Sequence, residues 1–410
     1  MTVDADRLAG EIEALAQVSN TPYPSVTRVL FTGPDMRGRD WMVERCEAAG
    51  LDVRFDAVGN LFARWEGAEP ELAAVATGSH TDAIPNAGRF DGVVGVLGGL
   101  EAIRSLKASG LTPRRSIELI VFTAEEPTRF GIGCVGSRMM SGQLDPERAA
   151  GLTDADGVTL EEARLAAGYA GALSSVRPAV GHYRAFVELH IEQGPLLERD
   201  HVQVGVVTAI AAPATLRVDL TGPGGHAGAV LMADRADPMV AAAELVSAVD
   251  AIARSSGGSD TVATCGLVDV FPGAVNSIPR EVRLSIDVRD TDGARRDRVV
   301  DAIRAKGRDA AARRGVGHRD ELLNADPPAT CAPEIVTQIE AVCAEQGVVA
   351  RRMISRAYHD SLFMAQIGPT GMIFIPCRGG VSHRPDEFAS PEDITRGAAV
   401  LAGTLASLAG

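Results

Sequence analysis

The stretch LAAVATGSH, residues 72–80, is a short apolar run that ends in polar residues. A glycine-containing helical stretch follows, from about Asp91 to Lys107, and a second apolar run, SIELIVF, spans residues 116–122. Strand, helix and strand in this order predict a βαβ unit with a parallel sheet. Ligands of open α/β sheets bind beyond the carboxyl ends of the strands. The polar residues after the two runs are therefore expected to meet at one site.

The middle of the chain has a different pattern. Residues 216–220 and 282–288 alternate apolar and polar side chains, which is typical of antiparallel strands that bury one face. Long helical stretches lie near residues 239–253 and 294–314. These elements predict an inserted α+β domain.

The expected fold class is α/β, with a mixed, mostly parallel sheet and helices on both faces. We expect residues 1–211 and 327–410 to form this metal-binding catalytic domain. We expect residues 212–326 to form an inserted dimerisation or lid domain. A length of 410 residues favours two domains over one hydrophobic core.

Charge and composition exclude some classes of partner. The formal net charge is −14, which argues against nucleic acid and anionic membranes but not against a small anionic substrate. The start of the chain is acidic where a signal peptide would be basic. No apolar run reaches the ~18 residues of a membrane span. The six scattered cysteines form no Cys-x-x-Cys pair, so we expect a cytoplasmic protein with reduced thiols.

Histidine and carboxylate side chains at the predicted strand ends suit a metal centre. A carboxylate commonly fixes the tautomer of a ligating imidazole, and Asp82 could do this for His80. Taken singly, such a pair is more often structural, and an aspartate that begins a helix is usually a cap. The whole set suits Mn²⁺, Zn²⁺, Co²⁺ or Ni²⁺. Its members are His80, Asp91, Glu125, Glu126, His190 and His383.

Over almost its full length the chain resembles the hydantoinase/carbamoylase-type amidases, which belong to the aminoacylase and carboxypeptidase-like dinuclear metallohydrolases. The resemblance implies two divalent ions, most often Mn²⁺, bound by His80, Asp91, Glu126, His190 and His383. Asp91 would bridge them, and Glu125 would be the general base. The matching motifs are residues 78–82, 88–92, 125–130, 188–195, 226–228 and 382–385.

The resemblance also implies residues that act on the substrate. His226 would stabilise the anionic intermediate, and Asn276 and Arg289 would hold a substrate carboxylate. An ion pair with Asp287 or Asp290 is the alternative role for Arg289. Gln193 and His359 are implied as further substrate contacts. In this family the equivalents of His226, Asn276 and Arg289 reach the partner subunit's active site, so a homodimer is implied.

Within the family, residues 82–85, 91–97, 125–132, 224–232 and 355–364 resemble the members that hydrolyse ureidoglycolate. The expected products are glyoxylate, ammonia and carbon dioxide, as in recovery of purine nitrogen. Asn86-Ala87-Gly88 instead follows the pattern of the N-carbamoyl-L-amino acid hydrolases. That activity and allantoate hydrolysis therefore remain alternatives. A non-catalytic binding relative is disfavoured because no ligand or base position is substituted. A peptidase is disfavoured by the amidase-type motif at residues 190–195.

Overall fold

The computed structural model describes residues 2–410 and separates into two compact units. The first contains the residues up to Thr208 together with Thr330–Ser355 and His359–Gly410. The second contains Ala209–Ala329 and the short segment Arg356–Tyr358. The sequence-based boundaries lay at 211/212 and 326/327 and did not anticipate the assignment of Arg356–Tyr358. The dimerisation or lid role of the inserted segment stays a prediction.

Helices and strands alternate before the insertion. The strands there are β1 (Val26–Arg28), β2 (Asp52–Phe55), β3 (Leu61–Trp65), β4 (Ala74–His80), β5 (Ala83–Ala87), β6 (Ile117–Phe122), β7 (Tyr183–Ile191) and β8 (Val204–Ile210). The helices are α1 (Ala5–Ala16), α2 (Gly33–Ala48), α3 (Val93–Ala108), α4 (Val135–Ser141), α5 (Pro146–Ala150), α6 (Leu160–Ala166) and α7 (Leu196–Arg199).

The remaining elements belong to the insertion and to the return of the chain. The insertion contributes β9 (Ala212–Thr221), β10 (Gly225–His226), α8 (Pro238–Arg254), β11 (Val262–Phe271), β12 (Ser277–Ile278), β13 (Glu281–Asp290), α9 (Gly293–Arg314) and β14 (Gly317–Ala325). The return contributes β15 (Ala329–Thr330), α10 (Pro333–Glu345), β16 (Ala350–Ser355), α11 (Asp360–Met364), β17 (Thr370–Ile375) and α12 (Pro391–Ala409).

A nine-stranded sheet forms the centre of the first unit, in the order β15-β8-β17-β7-β4-β6-β3-β2, with β16 paired to β8. Strands β17, β7, β4 and β6 are mutually parallel, and antiparallel strands flank them on both sides. Every residue of β4, β6 and β17 is buried, as expected for strands covered on both faces.

Helices cover both faces of this sheet. Leu189 of β7 lies against Gly98 of α3 and Gly397 of α12. Its neighbour Glu188 accepts a hydrogen bond from the hydroxyl of Ser361 in α11 at 2.6 Å. Because adjacent residues of a strand point to opposite faces, α3 and α12 lie on one side and α11 on the other. The predicted α/β fold class is confirmed.

The second unit is built on a four-stranded antiparallel sheet in the order β11-β13-β9-β14. Helices α8 and α9 pack against the apolar face of this sheet. That face is formed by alternate residues of the two central strands, such as Leu216 and Val218 of β9 and Leu284 and Ile286 of β13. The alternation read from the sequence therefore marks the buried face of the two central strands.

Sequence reasoning found those central strands but missed the edge strands β11 and β14. An edge strand is paired on one side only, and most residues of both strands are exposed or half-buried. Neither strand needs a regular apolar face, so no period-two pattern marks it.

Within residues 2–410, no helix combines the length and the apolar character needed to cross a membrane.

Candidate metal centre

Most of the predicted metal ligands, and the predicted base, lie at the carboxyl ends of the four parallel strands. His80 is the last residue of β4, and His190 is the penultimate residue of β7. Glu125 and Glu126 follow the end of β6, and His383 lies in the loop after β17. Because parallel strands end at one edge of the sheet, residues far apart in the chain meet there.

One group of potential metal ligands contains His80, Asp91 and His190, all buried. Nε2 of His190 lies 3.1 Å from Oδ1 of Asp91. Nε2 of His80 lies 3.8 Å from the same oxygen. A single cation could accept a lone pair from each of these atoms.

A second group contains Asp91, Glu126 and His383. Nε2 of His383 lies 3.1 Å from Oδ2 of Asp91 and 3.4 Å from Oε1 of Glu126. The two oxygens of Asp91 therefore face different groups, an arrangement that would allow Asp91 to hold two cations. The five residues named as ligands from the resemblance are brought together in this arrangement.

Hydrogen bonds to the protein orient two of the imidazoles. Nδ1 of His80 lies 3.0 Å from the backbone oxygen of Asp82, and Nδ1 of His190 lies 2.9 Å from that of Ile191. A carbonyl oxygen only accepts, so each Nδ1 carries a proton, and in the neutral imidazole each Nε2 then keeps its lone pair. Both Nε2 atoms lie near Oδ1 of Asp91, and Nε2 of His190 also accepts from the backbone nitrogen of Gly92 at 3.2 Å.

Asp82 is involved in a different way from that expected. Its carboxylate lies 3.6 Å from Nδ1 of His80, farther than its own backbone oxygen. The two carboxylate oxygens instead accept hydrogen bonds from the backbone nitrogens of Glu125 at 3.3 Å and Glu126 at 3.0 Å. Asp82 thus orients His80 through its main chain and holds the Glu125-Glu126 segment through its side chain.

The charges of the site favour a bound cation. Burial and the charge of Asp91 raise the pKa of Glu126 to about 8. Burial and the charge of Glu126 raise the pKa of Glu125 well above its usual range. Burial lowers the pKa of His80 to about 4, so this imidazole is neutral. Crowded buried carboxylates next to a neutral imidazole suit divalent cations, which would relieve the repulsion.

Gly92 leaves room on the metal-facing side of His80. Its φ is +66°, and a Cβ at this position would lie 2.4 Å from Nε2 of His80. Any larger residue would occupy the space in front of the proposed ligand atom. This close approach explains why glycine follows Asp91.

Glu125 lies beside the potential ligands without belonging to either group. Its Oε2 is 3.7 Å from Nε2 of His80, and its Oε1 faces the thiol of Cys134 at 3.7 Å. Glu125 is therefore held beside the group that contains His80, within reach of a reacting water as a general base would need to be.

Gln193 and His359 also belong to the first unit. Nε2 of Gln193 donates to Oδ2 of Asp91 at 2.9 Å. His359 is buried, its ring packs edge-on against that of His190, and its Nε2 lies 2.9 Å from the hydroxyl of Ser355. Both residues contact the potential ligands directly, and their role in substrate binding stays a prediction.

His226, Asn276 and Arg289 belong to the second unit. His226 in β10 pairs with Ser277 in β12, and the backbone oxygen of Asn276 accepts from the nitrogen of Ala227 at 2.9 Å. Nε of Arg289 donates to Oδ2 of Asp287 at 2.6 Å, which is the ion pair considered as its alternative role. His226 and Asn276 are thus neighbours at a small two-stranded antiparallel sheet, and Arg289 lies on β13.

Sequence reasoning did not single out two acidic residues near the ligands. Asp360 is fully buried and accepts a hydrogen bond from the hydroxyl of Ser137 at 2.5 Å. Glu387 is 1% exposed and contacts the backbone of Asp91. The only sign in the sequence that Glu387 lies at the site is its closeness to His383 in the chain. The backbone groups that Glu387 contacts come from a distant segment.

Comparison with known proteins defines the class. The chain belongs to Peptidase family M20/M25/M40, a family of metallohydrolases whose profile matches residues 76–407. It is 51% identical over 415 residues to "Ureidoglycolate hydrolase" of Arabidopsis thaliana, covering 100% of this chain and 87% of that protein. It is 39% identical over 408 residues to "N-carbamoyl-L-amino acid amidohydrolase" of Geobacillus stearothermophilus, with 99% of both chains covered.

A similar solved structure is that of AtUAH in complex with glyoxylate. It has a TM-score of 0.92 and 50% sequence identity, and covers 100% of this chain and 98% of that chain. These relatives are named as hydrolases of ureidoglycolate and of N-carbamoyl-L-amino acids. They confirm the resemblance to amidohydrolases that the sequence motifs indicated.

Proposed function

We propose that this protein hydrolyses the terminal ureido carbon–nitrogen bond of ureidoglycolate and releases ammonia. The carbamate that remains then loses carbon dioxide and its own nitrogen as a second ammonia, which yields glyoxylate. The observation that carries the proposal is 51% identity over the whole chain to "Ureidoglycolate hydrolase", against 36–39% for several N-carbamoyl-L-amino acid hydrolases. Purine catabolism is the proposed context. A small anionic substrate agrees with the glyoxylate and (S)-hydroxyglycine complexes of AtUAH.

We propose that His80, His190 and Asp91 hold one divalent ion, and that Glu126, His383 and Asp91 hold a second. The mixture of imidazole and carboxylate ligands suits Mn²⁺, which we propose, and also Zn²⁺, Co²⁺ or Ni²⁺. Bound divalent ions supply Lewis acidity toward the ureido carbonyl, which is otherwise a poor electrophile. The protein contributes the tautomers of His80 and His190, which direct both Nε2 lone pairs toward the site.

Glu125 is the proposed general base and acid. Its carboxylate removes a proton from the attacking water and later returns it to the leaving ammonia. The Asp82 carboxylate accepts from the backbone nitrogen of Glu125, which fixes the segment that carries the base. The contact with Cys134 further restrains Oε1.

His226 is the proposed donor to the tetrahedral anion formed from the carbonyl. Its Nδ1 accepts from the backbone nitrogen of Gly228 at 3.1 Å. In a neutral imidazole the proton must then lie on Nε2, which makes Nε2–H the hydrogen-bond donor. The exposed position of His226 keeps this donor available.

Substrate anchoring is proposed for Arg289 and Asn276, with Gln193 and His359 as further contacts. Arg289 uses Nε for its contact with Asp287. We propose that its Nη atoms bind the substrate carboxylate, because a guanidinium matches the planar shape of a carboxylate.

A homodimer with shared active sites is proposed as the working assembly. Strand β11 lies at an edge of the second unit's sheet and exposes Leu267, Val268, Val270 and Phe271. An exposed apolar edge of this kind is suited to contact with a second copy. Light scattering after gel filtration should give a mass of two chains, and a monomer would contradict this proposal.

We also propose a cytoplasmic location, which all six cysteines support by being free.

The substrate is tested by ammonia release from Mn²⁺-loaded protein with ureidoglycolate, allantoate and several N-carbamoyl-L-amino acids. We expect the highest kcat/KM with ureidoglycolate. A preference for an N-carbamoyl-L-amino acid would favour the second candidate, which Asn86-Ala87-Gly88 supports. Protein without added metal serves as the control and should release little ammonia from any of these compounds.

A further inference from the structure

Glu387 connects two segments that carry proposed metal ligands. Its Oε1 accepts hydrogen bonds from the backbone nitrogens of Phe90 at 2.8 Å and Asp91 at 3.1 Å. Its Oε2 accepts from the hydroxyl of Ser382 at 2.8 Å. One carboxylate thus joins the segment of Asp91 to the loop of His383.

Oγ of Ser382 also lies 3.0 Å from Oδ2 of Asp91, so its single hydroxyl proton is shared between the Glu387 and Asp91 carboxylates. Glu387 therefore contacts Asp91 directly through the main chain and indirectly through Ser382. The turn before Asp91 lies close to Glu387 as well, since a Cβ at Gly88 would lie 2.4 Å from Oε1 of Glu387. This close approach explains the glycine at position 88.

His383 needs such support more than the other proposed ligands. Its side chain is 48% exposed, whereas His80, Asp91, Glu126 and His190 are all buried. Its φ is +59°, a left-handed conformation that is unfavourable outside glycine and persists only where neighbouring contacts impose it. Because burial does not hold the imidazole of His383 in place, its position depends on the position of the loop that carries it.

We propose that Glu387 is a positioning residue that fixes the spacing of Asp91 and His383 and thereby controls the affinity of the Glu126–His383 metal site. This inference rests on the metal centre of the proposed function. Glu387 itself contacts no proposed metal position and acts through Asp91 and Ser382.

The test is a Mn²⁺ titration of metal-free protein, followed by bound-metal analysis and electron paramagnetic resonance. We expect wild type to bind two ions whose spins are coupled. Glu387→Ala should weaken one site by about 10- to 100-fold, the usual effect of losing a residue that supports a ligand. The remaining ion should then give the hyperfine pattern of an isolated Mn²⁺.

Two further variants sharpen the titration. Glu387→Gln should show a smaller loss, because the amide oxygen still accepts from both backbone nitrogens while the amide nitrogen can donate to Ser382. Asp386→Ala is the matched control, since Asp386 is 56% exposed and pairs with Arg384 in the same loop. It should bind both ions as wild type does.

Ser382→Ala provides a second route if Glu387→Ala does not fold. It removes the link between Glu387 and the Asp91 side chain, and it should weaken the same single site. Wild-type affinity at both sites in Glu387→Ala or Ser382→Ala would overturn the proposal. So would an equal loss at both sites with a lower melting temperature, which indicates a general structural role. If the wild-type protein binds two ions but does not hydrolyse ureidoglycolate, only the proposed substrate is refuted. The titration would still test the role of Glu387.

Discussion

Oδ2 of Asp91 lies 3.1 Å from Nε2 of His383. The other oxygen of the same carboxylate, Oδ1, lies 3.1 Å from Nε2 of His190. One side chain therefore takes part both in the group with His80 and His190 and in the group with Glu126 and His383.

Replacement of the shared ligand should affect both metal sites. We expect Asp91→Ala to lose more affinity than the ~10- to 100-fold typical of residues that only support a ligand, and to do so for both ions. His383→Ala should lose one ion only. Metal analysis after gel filtration distinguishes the two variants. Retention of one tightly bound ion by Asp91→Ala would show that this carboxylate does not bridge.

Loss of the proposed base should separate catalysis from metal binding. Glu125→Gln keeps the size of the side chain but cannot accept a proton, so kcat should fall by about 100- to 10,000-fold with metal content unchanged. Glu126→Gln is the matched control at the adjacent position and should lower the metal content. If Glu125→Gln loses metal instead, the roles of the two glutamates have been exchanged.

Gly92 allows a test of the space in front of His80. Gly92→Ala places a methyl group where Nε2 would bind a metal ion and adds strain at a φ of +66°. Gly110→Ala adds comparable strain at a φ of +79°, where nothing lies within 4 Å. Both variants should lose about 1 kcal/mol or more of unfolding free energy. Only Gly92→Ala should also bind less Mn²⁺, as measured by titration. Equal Mn²⁺ affinity in the two variants would contradict this account.

Substitution of Arg289 should mainly damage substrate affinity. Lysine keeps the positive charge but loses the bidentate geometry, so Arg289→Lys should raise KM by roughly tenfold or more, with a smaller change in kcat. Arg283→Lys is the control, because Arg283 lies on the same strand and pairs with Asp219. An unchanged KM in Arg289→Lys would leave this arginine only its ion pair with Asp287.

Local sequence patterns predicted those strands in which burial is regular along the chain. Strands β4 and β6 are buried throughout and are marked by apolar runs, and β9 and β13 bury one face and alternate. The edge strands β11 and β14 escaped because partial exposure leaves their side chains free to vary.

The sequence by itself determined the fold class, the family and the residues available as ligands, because these depend on local periodicity and on motifs of a few residues. Only the tertiary structure decided how those residues are combined. In the folded chain the two oxygens of Asp91 lie next to different histidines. The Asp82 carboxylate contacts the backbone of Glu125 and Glu126. Glu387 contacts the backbone of Asp91 and the hydroxyl of Ser382. Such contacts join segments up to 297 residues apart, and hydrogen bonds over that separation leave no trace in a local pattern.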